Sequence, residues 1–162
     1  MLQWRILAEP EWWLLRKTRL IALRESPLCF LSSYEKEVAY DETQWREEFI
    51  RGDWITLGET DATMDGLIGV THGDDISPNE RYLEYLWISP KSRRSGIATN
   101  LMRTVLEMLR TTGIVTAWLW ILDGNKPARE LYEKLGFIST NERQPLAANP
   151  LRYEERMRLR LN

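Results

Sequence analysis

Cysteine and histidine are almost absent from this chain. Its 162 residues include one cysteine, Cys29, and one histidine, His72. A single cysteine cannot form an internal disulfide, which excludes a disulfide-stapled fold and is compatible with a reducing cytoplasm. The sequence also lacks a Ser-His-Asp set and a metal cluster with ligand spacing, so no metal site is expected.

Long apolar runs and an excess of positive charge are missing too. No apolar stretch approaches the length needed to span a bilayer, and Met1 to Ile6 lack the basic and apolar regions of a signal peptide. The formal net charge is −2, so no global basic field favours nucleic acid. We therefore expect a cytoplasmic protein with neither a nucleic-acid nor a membrane partner.

The remaining composition is typical of one folded domain. Hydrophobic residues make up 43% of the chain, which is enough for a sizeable core at this length. The sequence contains no internal repeat and no low-complexity linker. A single domain over residues 1–162 is the expectation.

The most informative stretch runs from Tyr82 to Leu109. Residues 82–88 are aromatic, β-branched or leucine apart from Glu84, and Ser89-Pro90 ends this predicted strand because proline cannot continue a ladder. Apolar residues then recur at spacings of one, three and four, which predicts a helix with one apolar face: Ile97, Leu101, Met102, Val105, Leu106 and Leu109.

The loop before this helix has the composition of an anion site. The first N–H groups of a helix lack partners and lie at the positive end of its dipole, and Gly96 with Ala98 would let a phosphate approach the backbone. We interpret the loop as a pyrophosphate-binding site. The alternative is a surface helix with solvated Arg93 and Arg94, because neither a P-loop nor the three glycines of a dinucleotide fingerprint is present.

The other segments alternate between strands and helices. No regular structure is predicted for Leu28 to Tyr40. The order of the other segments predicts one mixed sheet with helices on both faces. The predicted strands are Gln3–Ala8, Trp54–Glu59, Leu67–His72, Ile114–Ile121 and one starting at Phe137–Thr140; the predicted helices are Pro10–Arg24, a second one capped by Asp41 and closed by Gly52, and Lys126–Leu135. A polar turn with Asp61, Asp65 and Gly66 joins two of the strands.

The last segment alternates apolar and charged residues after a predicted loop over Asn141–Pro150. Two sets of residues alternate along it: Arg152, Glu154, Arg156, Arg158 and Arg160 in one, and Tyr153, Glu155, Met157, Leu159 and Leu161 in the other. This pattern predicts a half-exposed antiparallel strand, and we interpret its arginine face as a solvated edge that discourages strand pairing.

Two motifs in this order resemble those of the GCN5-related N-acetyltransferases of the bacterial small-molecule type. The first is Arg-x-x-Gly-x-Ala at Arg93 to Ala98, after a strand and before a helix. The second is Asn-x-x-Ala-x-x-x-Tyr-x-x-x-Gly-Phe at Asn125 to Phe137. The N-terminal part, with Trp12 and Arg19 among others, is similar as well. The resemblance implies an α+β fold with a mixed, mostly antiparallel sheet of about seven strands, in the order β-α-α-β-β-β-α-β-α-β-β.

The resemblance also implies acetyl-coenzyme A as cosubstrate, in a gap where the central strand and the next one splay apart. Backbone groups of Leu86, Trp87 and Ile88 would then bond its pantetheine arm, as would Asn125. Arg93 would add positive charge at the pyrophosphate, whose N–H donors would be Arg94, Ser95, Gly96, Ile97, Ala98 and Thr99.

The catalytic acid implied by the resemblance is Tyr132. A phenol has an ordinary pKa near 10, so it stays protonated at neutral pH and can donate to a departing thiolate. A tyrosine on the inner stripe of a short helix is also often a core residue only.

The candidate base is Glu84, working through a water. It is the only carboxylate inside the central strand, and by the period of two it should share a face with Tyr82, Leu86 and Ile88. A structural interstrand glutamate is the alternative.

These features predict direct acetyl transfer to a primary amine, on a small molecule or a peptide. In the family, the segments 28–41 and 141–150 usually shape the acceptor site, where acidic side chains such as Glu35 and Glu37 would attract a cationic amine. The alternatives are a sensor that binds acetyl-coenzyme A without turnover and an interaction module that uses the eight tryptophans. A homodimer is compatible with each of them.

Overall fold

A seven-stranded sheet organises the computed structural model, which describes residues 3–60, 63–147 and 149–162. Its strands are β1 (Gln3–Ile6), β2 (Gly52–Thr60), β3 (Thr63–Thr71), β4 (Glu80–Ile88), β5 (Thr116–Leu122), β6 (Ile138–Pro145) and β7 (Tyr153–Arg160). Their order across the sheet is β1-β2-β3-β4-β5-β7-β6. Neighbours are antiparallel except β4 and β5, which pair in parallel. The predicted mixed, mostly antiparallel sheet is confirmed.

Helices cover both faces of this sheet. They are α1 (Trp12–Glu25), α2 (Tyr34–Val38), α3 (Glu42–Arg51), α4 (Ile97–Thr111) and α5 (Lys126–Lys134). On what we call the front face, α1 and α3 bury Leu14, Leu15 and Trp45 against Trp54 and Leu67 of β2 and β3. On the back face, α4 packs its apolar side against β4, β5 and β7 in the largest core cluster. Within the described ranges, no helix has both the length and the apolar character required to cross a membrane.

Local capping chemistry fixes the start of α3 as predicted. The Asp41 carboxylate accepts a hydrogen bond from the backbone N–H of Gln44 at 2.8 Å, and the Gln44 side chain accepts one from the N–H of Asp41 at 3.0 Å. This reciprocal pair satisfies two helix N-terminal donors. Helix α3 ends at Gly52, as predicted, and β2 begins at the same residue.

Three segments differ from the sequence prediction. The stretch 28–40, read as irregular, contains α2, which Ser33 caps by accepting from the N–H of Lys36 at 3.2 Å. Asp65 and Gly66 lie in β3 and not in a turn, while Asp61 falls outside the described residues. Strand pairing with β7 carries β6 to Pro145, so the predicted loop over 141–150 is shorter.

The last strand is not a solvated edge. β7 lies between β5 and β6 and pairs with both. Its charged side chains therefore lie between those of two neighbouring strands, and Glu154 among them is buried. The interpretation of this face as a solvated edge was wrong because alternation reveals which residues share a face and not where the strand lies in the sheet.

Candidate functional site

Strands β4 and β5 separate along their length. In the described part of the chain they pair only from Glu80 to Tyr82 and from Thr116 to Trp118. The remaining halves of both strands diverge towards Ile88 and Leu122. The gap implied by the resemblance is therefore present, and unpaired backbone groups line it.

A bulge in β4 opens this cleft. Gly69 of β3 pairs with Glu84, and Leu67 pairs with Trp87, so Tyr85 and Leu86 lie opposite a single residue. Tyr85 has a left-handed backbone with φ of 58°, which is strained for an aromatic residue. Such a bulge ends regular pairing and re-aims the side chains that follow it.

Leu86 belongs to the bulge, and Trp87 and Ile88 follow it. The Ser89 N–H donates to the Asp65 carbonyl and Trp87 pairs with Leu67, so the backbone groups of Trp87 face β3 while those of Leu86 and Ile88 face the cleft. Leu86 and Ile88 pack in the back-face core, whereas Trp87 packs on the front face against Ala22, Leu23 and Phe30. The Ile88 carbonyl accepts a hydrogen bond from Arg93 Nε at 2.9 Å. These three predicted contact residues thus form one wall of the cleft.

The loop from Arg94 to Thr99 presents six successive backbone N–H groups without an acceptor among the described residues. Arg94 and Gly96 have φ of 60° and 78°, and this pair of left-handed residues curls the loop into a concave turn before α4. A Cβ on Gly96 would meet no atom within 4 Å. The outer side of the loop is therefore open to a ligand. A concave row of N–H groups at the start of a helix is a typical anion-binding site.

Arg93 is held away from the open side of this loop. Its guanidinium donates to Glu25 at 2.5 Å and to Ser26 at 3.2 Å, in addition to the Ile88 carbonyl. The Glu25 carboxylate balances its charge. The side chain therefore ties the loop to the end of α1, and Arg94 is the exposed cation beside the free N–H groups.

Asp65 anchors the other side of the loop, a role that the sequence did not reveal. Its buried carboxylate accepts hydrogen bonds from the hydroxyls of Ser89 and Ser92 at 3.0 and 3.1 Å, and Lys91 lies 3.0 Å away. Burial alone would raise the pKa of this carboxyl, but these donors outweigh it and lower the pKa below its usual range. The only sequence signal is a polar residue inside a strand pattern.

The second motif forms α5 and its start. Asn125 is the N-cap, and its side-chain oxygen accepts a hydrogen bond from the N–H of Ala128 at 3.4 Å. Because the oxygen is used in this way, the amide nitrogen is the group that remains for a ligand.

Tyr132 packs on the back-face core, which includes Leu86 and Ile121 from the two sides of the cleft. Its ring centre is 5.8 Å from that of Phe137. Burial raises the pKa of the phenol to about 12. The hydroxyl makes no hydrogen bond to any residue that the structure describes. The phenol is therefore available to donate its proton to a ligand.

Glu84 lies on a different face from the one predicted. Leu83, Leu86 and Ile88 all pack in the back-face core, so Glu84, adjacent to Leu83, projects from the front. The bulge at Tyr85 inserts a residue and inverts the alternation, which is why the expectation that Glu84 shares a face with Leu86 and Ile88 was wrong. Glu84 is half-buried and lies 2.8 Å from the guanidinium of Arg51. Burial raises the pKa of its carboxyl, although Arg51 opposes this.

A buried chain of charges runs behind Glu84. Arg51 also bonds Glu48 at 2.7 Å, Glu48 lies 2.9 Å from Arg19, and Arg19 donates to both oxygens of Glu37 at 2.9 and 2.5 Å. Arg19 and Glu37 are only 2% and 1% exposed. Burial alone would lower the pKa of Arg19, but its partners raise it above the ordinary value.

Arg19 also holds Tyr85. The guanidinium lies 4.1 Å from the centre of the Tyr85 ring and donates to the hydroxyl at 2.9 Å, and the hydroxyl in turn donates to Glu37. The strained residue of the bulge is thereby fixed by a buried ion pair. No local sequence pattern predicts this contact, because 66 positions separate the two residues.

A groove of about 510 Å³ lies beside the cleft on the front face. Arg156 of β7 lines it, with its guanidinium 4.0 Å from the centre of the Trp118 ring and ion-paired to Glu142 at 3.0 Å and Asp75 at 3.4 Å. Trp120 and Gln144 form further parts of the wall. Part of the segment 141–150, predicted to shape an acceptor site, therefore lies at this groove.

Comparison with known proteins places the chain among acetyltransferases. Residues 19–137 match the model of the acetyltransferase (GNAT) family. Human N-acetyltransferase 8 is 31% identical over 94 residues, which cover 57% of this chain and 41% of that protein. The chain spans less than half the length of each curated relative that it matches.

Solved structures share the fold over nearly the whole chain. An acetyltransferase of the GNAT family from Streptococcus pneumoniae superposes with a TM-score of 0.79 at 16% identity, covering 100% of both chains. The protein yncA from Salmonella typhimurium, solved with its cofactor acetyl-CoA, gives a TM-score of 0.74 at 15% identity and covers 100% of this chain and 95% of that one. The family model spans both motifs, the cleft between β4 and β5 and the loop before α4, and this chain belongs to the acetyltransferase (GNAT) family.

Proposed function

We propose that this protein is an acetyl-CoA-dependent N-acetyltransferase that moves the acetyl group directly to a primary amine. The observation that carries the proposal is the row of six N–H groups from Arg94 to Thr99 at the start of α4, none of which has an acceptor in the described part of the chain. A diphosphate carries several oxygens and negative charge. A curled loop of donors at the positive end of a helix matches both properties.

The chemistry of the residues present fits the cosubstrate. Gly96 leaves open space above the loop, and Arg94 is exposed beside it, so one cation and six donors can meet the pyrophosphate. Arg93 contributes by tying the loop to Ile88 and not by its charge, which Glu25 balances. The unpaired cleft edge of β4 offers backbone groups of Leu86 and Ile88 to the amide-containing pantetheine arm, with Trp87 between them. The amide nitrogen of Asn125 offers another donor.

The catalytic steps are assigned to two side chains. Acetyl-CoA supplies an acetyl group activated as a thioester. Glu84, through a water, takes a proton from the acceptor ammonium so that the amine becomes nucleophilic. Burial raises the pKa of its carboxyl, which makes it a stronger base than an exposed glutamate. As the carbon–sulfur bond breaks, Tyr132 donates its proton to the departing sulfur, and a phenol with a pKa of about 12 is fully protonated for that task. The attacking nitrogen then gives up its second proton, through solvent, to the Tyr132 oxygen, which restores the phenol.

The acceptor is proposed to be an amine of a small molecule or a peptide. The direct route needs no side-chain nucleophile, because the amine itself attacks the thioester carbon. A cytoplasmic location, a bacterial source, a single domain over residues 1–162 and homodimer formation stay predictions.

Calorimetric titration with acetyl-CoA tests the cosubstrate. We expect wild-type binding in the micromolar range and a loss of about 100-fold or more in Gly96→Glu, because a like charge facing the pyrophosphate costs several kcal/mol. Gly113→Glu is the matched control, since Gly113 has a φ of 81° and equally open surroundings at the other end of α4. It carries the same backbone strain and should bind normally. Absence of binding by the wild type, or equal losses in both variants, would refute the proposal.

A further inference from the structure

Asp65 is a buried charge that the proposed chemistry does not use. Its side chain is only 3% exposed, although a charge in such a place is costly to desolvate. A buried ion pair does not by itself explain the residue, since apolar side chains of similar volume often stabilise a fold equally well. The contacts of the Asp65 carboxylate therefore have to account for it.

The position of Asp65 brings it to the end of β4. The next residue, Gly66, pairs with Ile88, and a Cβ on Gly66 would lie 3.0 Å from the Ile88 side chain and 3.3 Å from the Trp87 carbonyl. The small residue allows the two strands to come close. The Asp65 carbonyl accepts a hydrogen bond from the N–H of Ser89 at 2.8 Å. The carboxylate thus lies beside the first residue after β4, where the loop before α4 leaves the sheet.

Each polar side chain of residues 89–92 contacts a single oxygen of Asp65. Its Oδ1 accepts hydrogen bonds from the hydroxyls of Ser89 and Ser92 at 3.0 and 3.1 Å, and the Lys91 ammonium lies 3.0 Å from the same atom. The N–H of Ser92 donates to the Ser89 carbonyl at 2.9 Å and closes the turn. Asp65 therefore holds the turn 89–92 around one atom.

The same turn leads into the row of N–H groups from Arg94 to Thr99. The hydroxyl of Ser95, a member of that row, donates to the Ser92 carbonyl at 2.7 Å. Two hydrogen bonds thus connect the Asp65 carboxylate, through Ser92, to the row. A loop that already has the shape of its bound state binds more tightly than a mobile one, because it loses less conformational entropy on binding.

The negative charge of Asp65 would have the opposite effect on an anion. A carboxylate close to an anion-binding loop repels a diphosphate, and the Lys91 ammonium balances that repulsion. If electrostatics dominate, removal of the Asp65 charge strengthens cosubstrate binding. If the shape of the loop dominates, the same change weakens it. The three donors gathered around Oδ1 favour the second result.

We propose that Asp65 is a positioning residue for the cosubstrate, which holds the turn 89–92 and, through it, the N–H groups from Arg94 to Thr99 in the shape that the pyrophosphate requires. The inference rests on the proposed function, in which this row binds the pyrophosphate of acetyl-CoA. In this role Asp65 acts from behind the loop, without touching the ligand and independently of the contact between Arg93 and Glu25.

Titration of the wild type and of Asp65→Asn with coenzyme A and with pantetheine, followed by nuclear magnetic resonance, tests the inference. Pantetheine lacks the diphosphate, so its affinity reports binding in the cleft without the loop. We expect Asp65→Asn to bind coenzyme A at least about tenfold more weakly, an effect of the size that follows the loss of hydrogen bonds to a charged group. The affinity for pantetheine should stay close to that of the wild type.

Two further variants complete the comparison. Ser92→Ala keeps the carboxylate and removes one hydroxyl that joins it to the turn, so coenzyme A should again bind more weakly although no charge changes. Asp53→Asn removes an exposed carboxylate of β2 and should bind both ligands as the wild type does. Thermal unfolding checks the integrity of each variant, and Ser92→Ala decides the question if Asp65→Asn fails to fold.

Unchanged or tighter binding of coenzyme A by Asp65→Asn would overturn the inference, as would equal losses for coenzyme A and pantetheine. Normal coenzyme A binding by Ser92→Ala would overturn it if Asp65→Asn does not fold. A wild type that binds coenzyme A no more tightly than pantetheine would refute the proposed pyrophosphate site, and the inference with it. The two failures are distinguished because the first appears only in the variants and the second already in the wild type.

Discussion

Tyr132→Phe is expected to lower the turnover number by about 10²- to 10⁴-fold, the range over which positioned acids and bases act. The variant loses only a hydroxyl that has no hydrogen bond to the described residues, and the ring can keep its contact with Phe137. The affinity for acetyl-CoA and the thermal stability should therefore stay close to those of the wild type. Steady-state release of free thiol, with an amine that the wild type acetylates, measures the effect.

Tyr40→Phe is the matched control for this experiment. Tyr40 is also half-buried and packs edge-on to Trp45 at 5.6 Å between ring centres. It packs against the front-face core, whereas Tyr132 packs against the back-face core, so the variant should keep most of its turnover number. Wild-type turnover by Tyr132→Phe would contradict the acid role and leave Tyr132 as a core residue. The pKa of about 12 adds a second check, because Tyr132 should cause no change in rate between neutral pH and pH 10.

Arg19→Met is expected to destabilise the protein by about 3–5 kcal/mol, the usual cost of removing one partner of a buried ion pair. The substitution leaves Glu37, which is 1% exposed, without its cation. It also removes the group that lies over three aromatic rings, those of Trp45, Trp54 and Tyr85. Denaturant unfolding monitored by tryptophan fluorescence measures the loss.

Two comparison variants separate the buried pair from charge in general. Arg46→Met removes an exposed arginine of α3 that pairs with Glu9 and Glu42, and exposed pairs contribute little to stability because solvent and salt screen them. Arg19→Met combined with Glu37→Gln should recover part of the loss, because the unpaired charge disappears. A cost for Arg19→Met no larger than for Arg46→Met would contradict a stabilising role of the buried chain of charges.

The loss should extend to the cleft. Tyr85 keeps its left-handed backbone in contact with Arg19 and Glu37, and the bulge it forms displaces β4 from regular pairing. We therefore expect Arg19→Met, at temperatures where it remains folded, to bind acetyl-CoA more weakly than Arg46→Met does.

Features set by short-range chemistry were predicted well from the sequence. The capping pair of Asp41 and Gln44, the strand that stops at Ser89-Pro90 and the helix that follows Gly96 all depend on residues within a few positions of each other. The loop before α4 belongs to the same class. Its left-handed Gly96 and its unpaired N–H groups follow from a glycine placed at a helix start.

Features set by long-range pairing were not predictable in the same way. The bulge at Tyr85 depends on contacts with Arg19 and Glu37, and it reversed the face on which Glu84 lies. The burial of Glu154 depends on β7 lying between β5 and β6, which periodicity does not encode. Asp65 looked like a turn residue because its partners, Ser89 and Ser92, are more than 20 positions away.

Nuclear magnetic resonance can show whether the N–H groups from Arg94 to Thr99 bind the pyrophosphate of the cosubstrate. Backbone amide signals of the isotope-labelled protein are followed during titration with coenzyme A and, separately, with pantetheine, which lacks the diphosphate. The prediction is that coenzyme A shifts these six amides most and slows their hydrogen exchange, whereas pantetheine leaves them unchanged. If coenzyme A leaves the loop amides where they are, or if pantetheine moves them equally, the loop before α4 is not the pyrophosphate-binding site.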